Sequence, residues 1–117
     1  MNSKEIMELA VKCADNKKAR NIKVLDVKEL TTITDYFIIC HGGVGNQLRA
    51  ICDEIEEKLA ENGITPYGIE GYNTDEWILI DLSDVIINIF TENARDFYDI
   101  EQLWADAQSV DINDLID

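Results

Sequence analysis

The chain has 117 residues, 24 acidic against 10 basic, a formal net charge of −14 and a hydrophobic fraction of 46%. This suits one globular domain that buries about two-thirds of its unfolded surface, and it excludes disorder. The charge argues against a broad basic surface for nucleic acid, and no apolar run approaches the ~20 residues of a membrane span.

The opening residues lack the hydrophobic region of a signal peptide. Three irregularly spaced cysteines with no CxxC read as reduced thiols, so the expected location is cytoplasmic. Asn2 and Glu5 have capping-box spacing. Ile6, Leu9, Ala10, Cys13 and Ala14 then recur at helical spacing, which predicts a first helix with one apolar face. Lys17, Lys18 and Arg20 are read as cations at its C-terminal end, in preference to an RNA contact. Residues 22–27 form a first predicted strand. Residues 30–35 are a polar crossover, and the continuous apolar run 36–40 is a strand covered on both faces. The loop His41-Gly42-Gly43-Val44-Gly45 ends it. Asn46 is the expected cap of a second helix with Leu48, Ile51, Cys52, Ile55 and Leu59 on its apolar face. Gly63 and Pro66 close that helix.

Residues 67–71 read as a short strand. The β-rich runs 77–82 and 85–90, joined at Ser83-Asp84, read as an antiparallel hairpin. Alternation puts Ile78, Ile80 and Leu82 on the core face and Trp77, Leu79 and Asp81 on the other. Residues 91–104 change to a helical period. Phe97, Ile100 and Trp104 are spaced to pack on the sheet with Tyr98 pointing elsewhere, and a fresh helical turn is expected at Ile100. The last residues, 105–117, form an acidic tail that is either frayed or a short docked turn around Val110, Ile112, Leu115 and Ile116. A single domain over residues 1–104 is expected, of α/β class with a mixed sheet.

Residues 71–117 hold twelve acids and one base, Arg95, a net of −11, whereas residues 1–70 carry a net of −3. The acidity is therefore concentrated in the C-terminal part, which suits a basic protein partner. Other chemistry is poorly supported. The glycines at 42, 43 and 45 form neither a P-loop nor GxGxxG, and a tight strand-to-helix turn is the better reading. His41 is the only histidine, its spacing to Cys40 and Cys52 matches no common zinc pattern, and all three cysteines fall on apolar faces. Asp75, Glu76, Asp81 and Asp84 cluster around the hairpin; turn chemistry is the preferred reading of Asp84. Trp77 is read either as core or as a surface anchor beside these acids, and Leu82 as emerging from the core at the turn.

The stretches Ile22-Lys23-Val24-Leu25-Asp26-Val27 and Thr34-Asp35-Tyr36-Phe37-Ile38-Ile39 carry a family resemblance. So do Glu70-Gly71-Tyr72, Trp77-Ile78-Leu79-Ile80-Asp81, Asp84-Val85, Phe90 and the run from Arg95 to Trp104. This pattern resembles the ribosomal silencing factor family, also called the Iojap or YbeB family, over nearly the whole chain to Trp104. The resemblance implies a nucleotidyltransferase-like fold with a mixed five-stranded sheet and flanking helices. It implies a homodimeric, non-enzymatic factor with no cofactor and no metal. Such a factor binds the large ribosomal subunit through ribosomal protein fourteen, blocks subunit joining and represses translation when nutrients are short. The residues proposed to contact that partner are Tyr72, Trp77, Asp81, Leu82, Asp84 and Tyr98. The chain departs from the family pattern at Ser83, usually Gly, at Asn88, usually His, and in the loop His41–Gly45, usually of Thr-Gly-Thr-Ser type. Two other classes compete: a nucleotidyltransferase-like enzyme and an acidic adaptor for another basic protein. The enzyme lacks an Asp-x-Asp or Asp-x-Glu pair on a strand after the glycine turn.

Overall fold

The computed structural model describes residues 1–117. Its elements are α1 (Ser3–Asn16), β1 (Arg20–Asp26), β2 (Tyr36–Gly42), α2 (Gly45–Glu61), β3 (Gly68–Glu70), β4 (Trp77–Asp81), β5 (Val85–Thr91), α3 (Glu92–Tyr98), α4 (Ile100–Leu103) and β6 (Gln108–Ser109). The strands form one mixed sheet in the order β3-β4-β5-β2-β1-β6, in which only the central β2–β5 pair is parallel.

Local sequence explains most of these boundaries. The Asn2 side chain accepts from the Glu5 N–H at 2.8 Å, and Glu5 accepts from the Asn2 N–H at 3.0 Å, a complete capping box for α1. No basic side chain lies in the last turn of α1; Lys17 caps it and Lys18 takes φ +65, so the expected dipole complement is displaced past the helix end. Helix α2 begins at Gly45 rather than beyond Asn46, and its N-cap Val44 makes no side-chain bond. Gly63, at φ +74, is the left-handed residue that ends it.

One face of the sheet is fully covered. Ile6, Met7, Ala10 and Val11 of α1 and Leu48, Ile51, Ile55 and Leu59 of α2 close over Ile38, Ile78, Ile80, Ile87 and Ile89. The alternation expected in β4 holds: Ile78 and Ile80 are buried, and Trp77, Leu79 and Asp81 are half-buried on the other face. All three cysteines are free and buried. Burial pushes the Cys13 thiol up to about 11 and those of Cys40 and Cys52 up to about 12, so none is a thiolate nucleophile at neutral pH.

The second face carries a smaller cluster. Leu25, Val27, Ile39, Phe90 and Ala94 are buried there, with Phe37, Trp77, Ile100, Trp104 and Ala107 packed against them. One expectation changes here, and one of two alternatives is selected. The sheet has six strands rather than five, because Gln108 and Ser109 pair with Asp26 and Leu25 of β1. The tail is docked: the Val110 N–H donates to the Val24 carbonyl at 2.9 Å, and Ile112 is buried in the main core. The fresh helical turn expected at Ile100 is present as α4. Asp99 takes φ +45 and separates α3 from α4, with no side-chain cap on the new turn. The break resets the helical phase. Ile100 and Trp104 reach the sheet as expected, but Phe97 is 80% exposed and Tyr98 packs inward on Trp77 and Phe90.

Candidate functional site

Helices α3 and α4 are short and lie over only part of the second face. The face of β4 and β5 nearer the β3 edge is left open. Strand register brings Glu70, Leu79, Asn88 and Ile39 into one row across this face, with Trp77 and Phe90 in a row to one side and Asp81, Ile86 and Phe37 in the row beyond. Leu79, Asp81, Ile86, Phe37 and Trp77 are each half-buried. A recess of about 230 Å³ is lined by Glu70, Gly71, Trp77 and Leu79. A second, of about 220 Å³, is lined by Ile33, Tyr67, Asp81, Ser83 and Ile86, and the exposed side chains of Ile33 and Tyr67 stand at its rim.

Trp77 is the centre of the aromatic part. Its ring lies 4.8 Å from that of Phe90 and 4.9 Å from that of Tyr98, and Phe97 meets Tyr98 edge-on at 5.0 Å. The approach of the chain to Trp77 depends on Gly71, whose φ is +77 and where a Cβ would strike the Trp77 carbonyl. Thr74 Oγ1 accepts from the Trp77 N–H and donates to the Gly71 carbonyl, which fixes the loop entering β4.

The residues expected from sequence divide. Trp77 and Tyr98 meet on the open face, and Asp81 and Asp84 lie at its hairpin end. The turn role expected of Asp84 falls to Asp81, which accepts from the Ser83 N–H at 2.8 Å, while the exposed Asp84 carboxylate makes no hydrogen bond. Ser83 sits at φ +71, a conformation that glycine adopts at least cost. Leu82 is a correction. It continues the Ile78-Ile80 alternation into the core under α1 and α2, is buried, and is unavailable as an anchor. Leu82→Ala is expected to cost about 2–5 kcal/mol of stability, measured by denaturant unfolding, with no loss of partner affinity per folded molecule. Tyr72 is also displaced: it turns to the helical side, packs on the main core and donates to the Asp53 carboxylate of α2 at 2.8 Å.

The glycine loop is occupied by the chain itself. The Gly43 N–H donates to Gln47 Oε1 at 2.7 Å, and Gln47 Nε2 bonds the Lys17 and Lys18 carbonyls. A Cβ at Gly45 would collide with the Asp75 carboxylate, which is paired with Arg49. The negative group at the start of α2 is therefore Asp75. No three His, Cys, Asp or Glu side chains converge to hold a metal ion.

Three residues matter to this face in ways that the sequence did not indicate. Asn88, buried on the open side, accepts from Trp77 Nε1–H at 3.1 Å. Phe97 extends the aromatic surface. Arg95 is buried and holds α3 in place: Nε donates to Glu101 at 2.8 Å, and Nη1 donates to the Asn21 carbonyl at 2.8 Å and to His41 Nδ1 at 3.0 Å. These bonds make Nδ1 the acceptor and leave the His41 proton on Nε2, 3.5 Å from the Glu92 carboxylate. Burial first, then the Arg95 guanidinium, holds the His41 pKa below its ordinary 6.5. The Arg95 hydrogen bond holds the Glu101 carboxyl below its ordinary 4.5. The visible signal for Arg95 was its solitude, as the single base in residues 71–117.

The family described as "Ribosomal silencing factor during starvation" matches residues 1–117. The chain is 39% identical to the ribosomal silencing factor RsfS of Bacillus subtilis, over 97% of this chain and 96% of that one. It is 31% identical to the chloroplastic protein Iojap of Arabidopsis thaliana, over 91% of this chain and 44% of that one. A crystal structure of a Chromobacterium violaceum protein superposes with a TM-score of 0.87 at 34% identity, covering 90% of this chain and 88% of that one. A Bacillus halodurans structure gives a TM-score of 0.82 at 37% identity, covering 92% and 98%. With a family match along its whole length, and with relatives of matching length and fold, the chain belongs to the ribosomal silencing factor family.

Proposed function

We propose that this chain binds the large ribosomal subunit through ribosomal protein fourteen, using the open face around Trp77, and that its bulk there blocks joining of the small subunit. The observation that carries this reading is a half-covered aromatic sheet face set within the acidic part of the chain. Tyr98, 44% exposed, packs on Trp77, and Phe97, 80% exposed, extends the surface beyond Tyr98; Glu70 and Glu76 lie beside Trp77, with Asp81 and Asp84 at the hairpin end. A face of this kind supplies desolvated aromatic contact at its centre and charge at its rim, which suits a basic protein surface. The factor acts by occupancy, without chemistry of its own, and works as a homodimer wherever the ribosomes are, in the cytoplasm.

The test is sedimentation of the purified protein with separated subunits. Comigration with large subunits, and fewer joined ribosomes when small subunits are added, is the expected result. Comigration with small subunits alone, or with neither, refutes it. Light scattering at tens of micromolar is expected to give twice the chain mass. A further expectation concerns salt. Net charge of −11 over residues 71–117 steers encounter, so the on-rate for large subunits falls as salt shortens the screening length toward ~8 Å at physiological strength, while the off-rate changes less. Stopped-flow measurement across a salt series checks this; an on-rate indifferent to salt means that the charge serves only solubility.

A further inference from the structure

The aromatic face contains a polar residue that its surroundings do not explain. Asn88 lies on β5 with its side chain on the open side of the sheet, yet it is only 2% exposed. Its cross-strand neighbours in the register are Leu79 on β4 and Ile39 on β2. An amide in such a place is costly unless it is hydrogen-bonded. Its Nδ2 lies at 3.5 Å from the Ile38 carbonyl, a long contact. Its short bond is the one accepted from the Trp77 indole at 3.1 Å. The two residues are diagonal neighbours, since Trp77 faces Phe90 and Asn88 faces Leu79 on the same side of the hairpin.

We propose that Asn88 is the positioning residue of the partner-binding face: it sets the indole of Trp77 in one orientation and so determines what that face offers. This rests on the reading of the Trp77 face as the binding surface and deepens it. The indole N–H is a donor only and is the one polar atom of the Trp77 side chain. Bound to Asn88, it points into the sheet. Phe90 and Tyr98 hold the ring on its flanks. What remains outward is carbon edge and π-surface, with no donor on show. That surface selects a partner side chain with an aliphatic stem or a guanidinium, the kind a basic ribosomal protein presents, and gives nothing to a partner that supplies a carbonyl or carboxylate acceptor. Without the acceptor at 88, the ring is free to turn its N–H toward solvent. The pocket beside Leu79 and Gly71 then loses its defined wall.

The experiment has a part in the free protein and a part with purified large subunits. In the wild-type free protein, the Trp77 indole proton, assigned by its disappearance in Trp77→Phe, is expected to exchange with solvent at least tenfold more slowly than that of free tryptophan, although the ring is half exposed. In Asn88→Leu this protection is expected to be lost. Large-subunit affinity is expected to fall about tenfold in Asn88→Leu, the scale of one lost hydrogen bond, and by less than twofold when the same change is made in Trp77→Phe, which has no N–H to orient. Asn88→His, which restores a ring acceptor, is expected to recover most of the affinity. An unprotected indole proton in the wild type overturns the proposal even if no Asn88 variant folds. An equal loss of affinity in both backgrounds also overturns it, since Asn88 would then act independently of Trp77. Failure of the underlying reading looks different: Trp77→Ala, folded, would bind large subunits as well as wild type, while the Asn88-dependent protection of the indole proton would persist.

Discussion

Trp77→Ala is expected to lose large-subunit affinity and stability together. Removal of a central aromatic anchor costs about 2–4 kcal/mol of binding, or roughly a 30- to 1000-fold loss. The same side chain packs on Phe90 and Tyr98 and is half-buried, so the truncation also costs about 2–3 kcal/mol of stability, below the ~3–5 of a fully buried tryptophan. The sequence posed core and anchor as alternatives, and the structure gives Trp77 a part in the core while leaving one side open. Two further variants separate the effects. Tyr98→Ala removes a ring that is 44% exposed and is expected to lose at least tenfold in binding for about 1 kcal/mol of stability. Trp77→Phe keeps the stacking but leaves Asn88 Oδ1 without its donor, at a cost of about 1–2 kcal/mol of stability. Melting curves and subunit sedimentation read both quantities. If Tyr98→Ala and Trp77→Ala both bind as wild type once folded, the open face is not the interface.

Arg95→Met is expected to loosen α3 from the sheet. It removes three hydrogen bonds at once, leaves Glu101 without its guanidinium partner, and leaves the Asn21 carbonyl and His41 Nδ1 without donors. Cutting a buried pair costs about 3–5 kcal/mol; Glu101 keeps some access to water, so about 2–3 kcal/mol is expected here. The same network sets the acid limb of stability. His41 has a folded pKa below 6.5, so the unfolded chain binds more protons as the pH falls under 6.5. Stability is therefore complete above that value and declines as the pH drops through the folded pKa. Protonation at Nδ1 would also place a second cation against Arg95. Glu101 has the same sign at lower pH: its folded pKa is held below 4.5, and its contribution disappears as the pH falls from 4.5 through the folded value. Melting temperature is expected to decrease in these two windows. In Arg95→Met the lower one narrows, because the hydrogen bond that does most to hold Glu101 down is gone and only Lys23, 3.4 Å away, still lowers it. A melting curve whose Glu101 window is unchanged by Arg95→Met would show that Arg95 does not set that carboxyl.

Much of the fold was decided by local chemistry and was legible without coordinates. Asn2 and Glu5 cap α1 reciprocally, Gly63 ends α2 in a left-handed conformation, and the period of two in residues 77–82 assigns Ile78 and Ile80 to the core. Each of these depends on residues within four positions of one another. The concentration of acid after Gly71 was legible too, because charge needs only counting. Tertiary structure decided what depends on distant neighbours. The fresh turn at Ile100 was legible, but one helical phase was carried across Asp99 from Phe97 to Trp104, so Phe97 and Tyr98 exchange places relative to the sheet. Strand β6 escaped notice because two residues pair through their backbones whatever their side chains are. Leu82 looked like the edge of a turn, but it is buried in the main core, which is assembled from segments distant in the chain. Asn88 stood out as a departure from the family pattern and Arg95 as a solitary base, but neither role could be read from that, since a buried polar group is explained only by its partner. Those partners, Trp77 across the hairpin and His41 and Asn21 more than fifty residues away, come together only when β5 pairs in parallel with β2 and α3 folds back over the sheet.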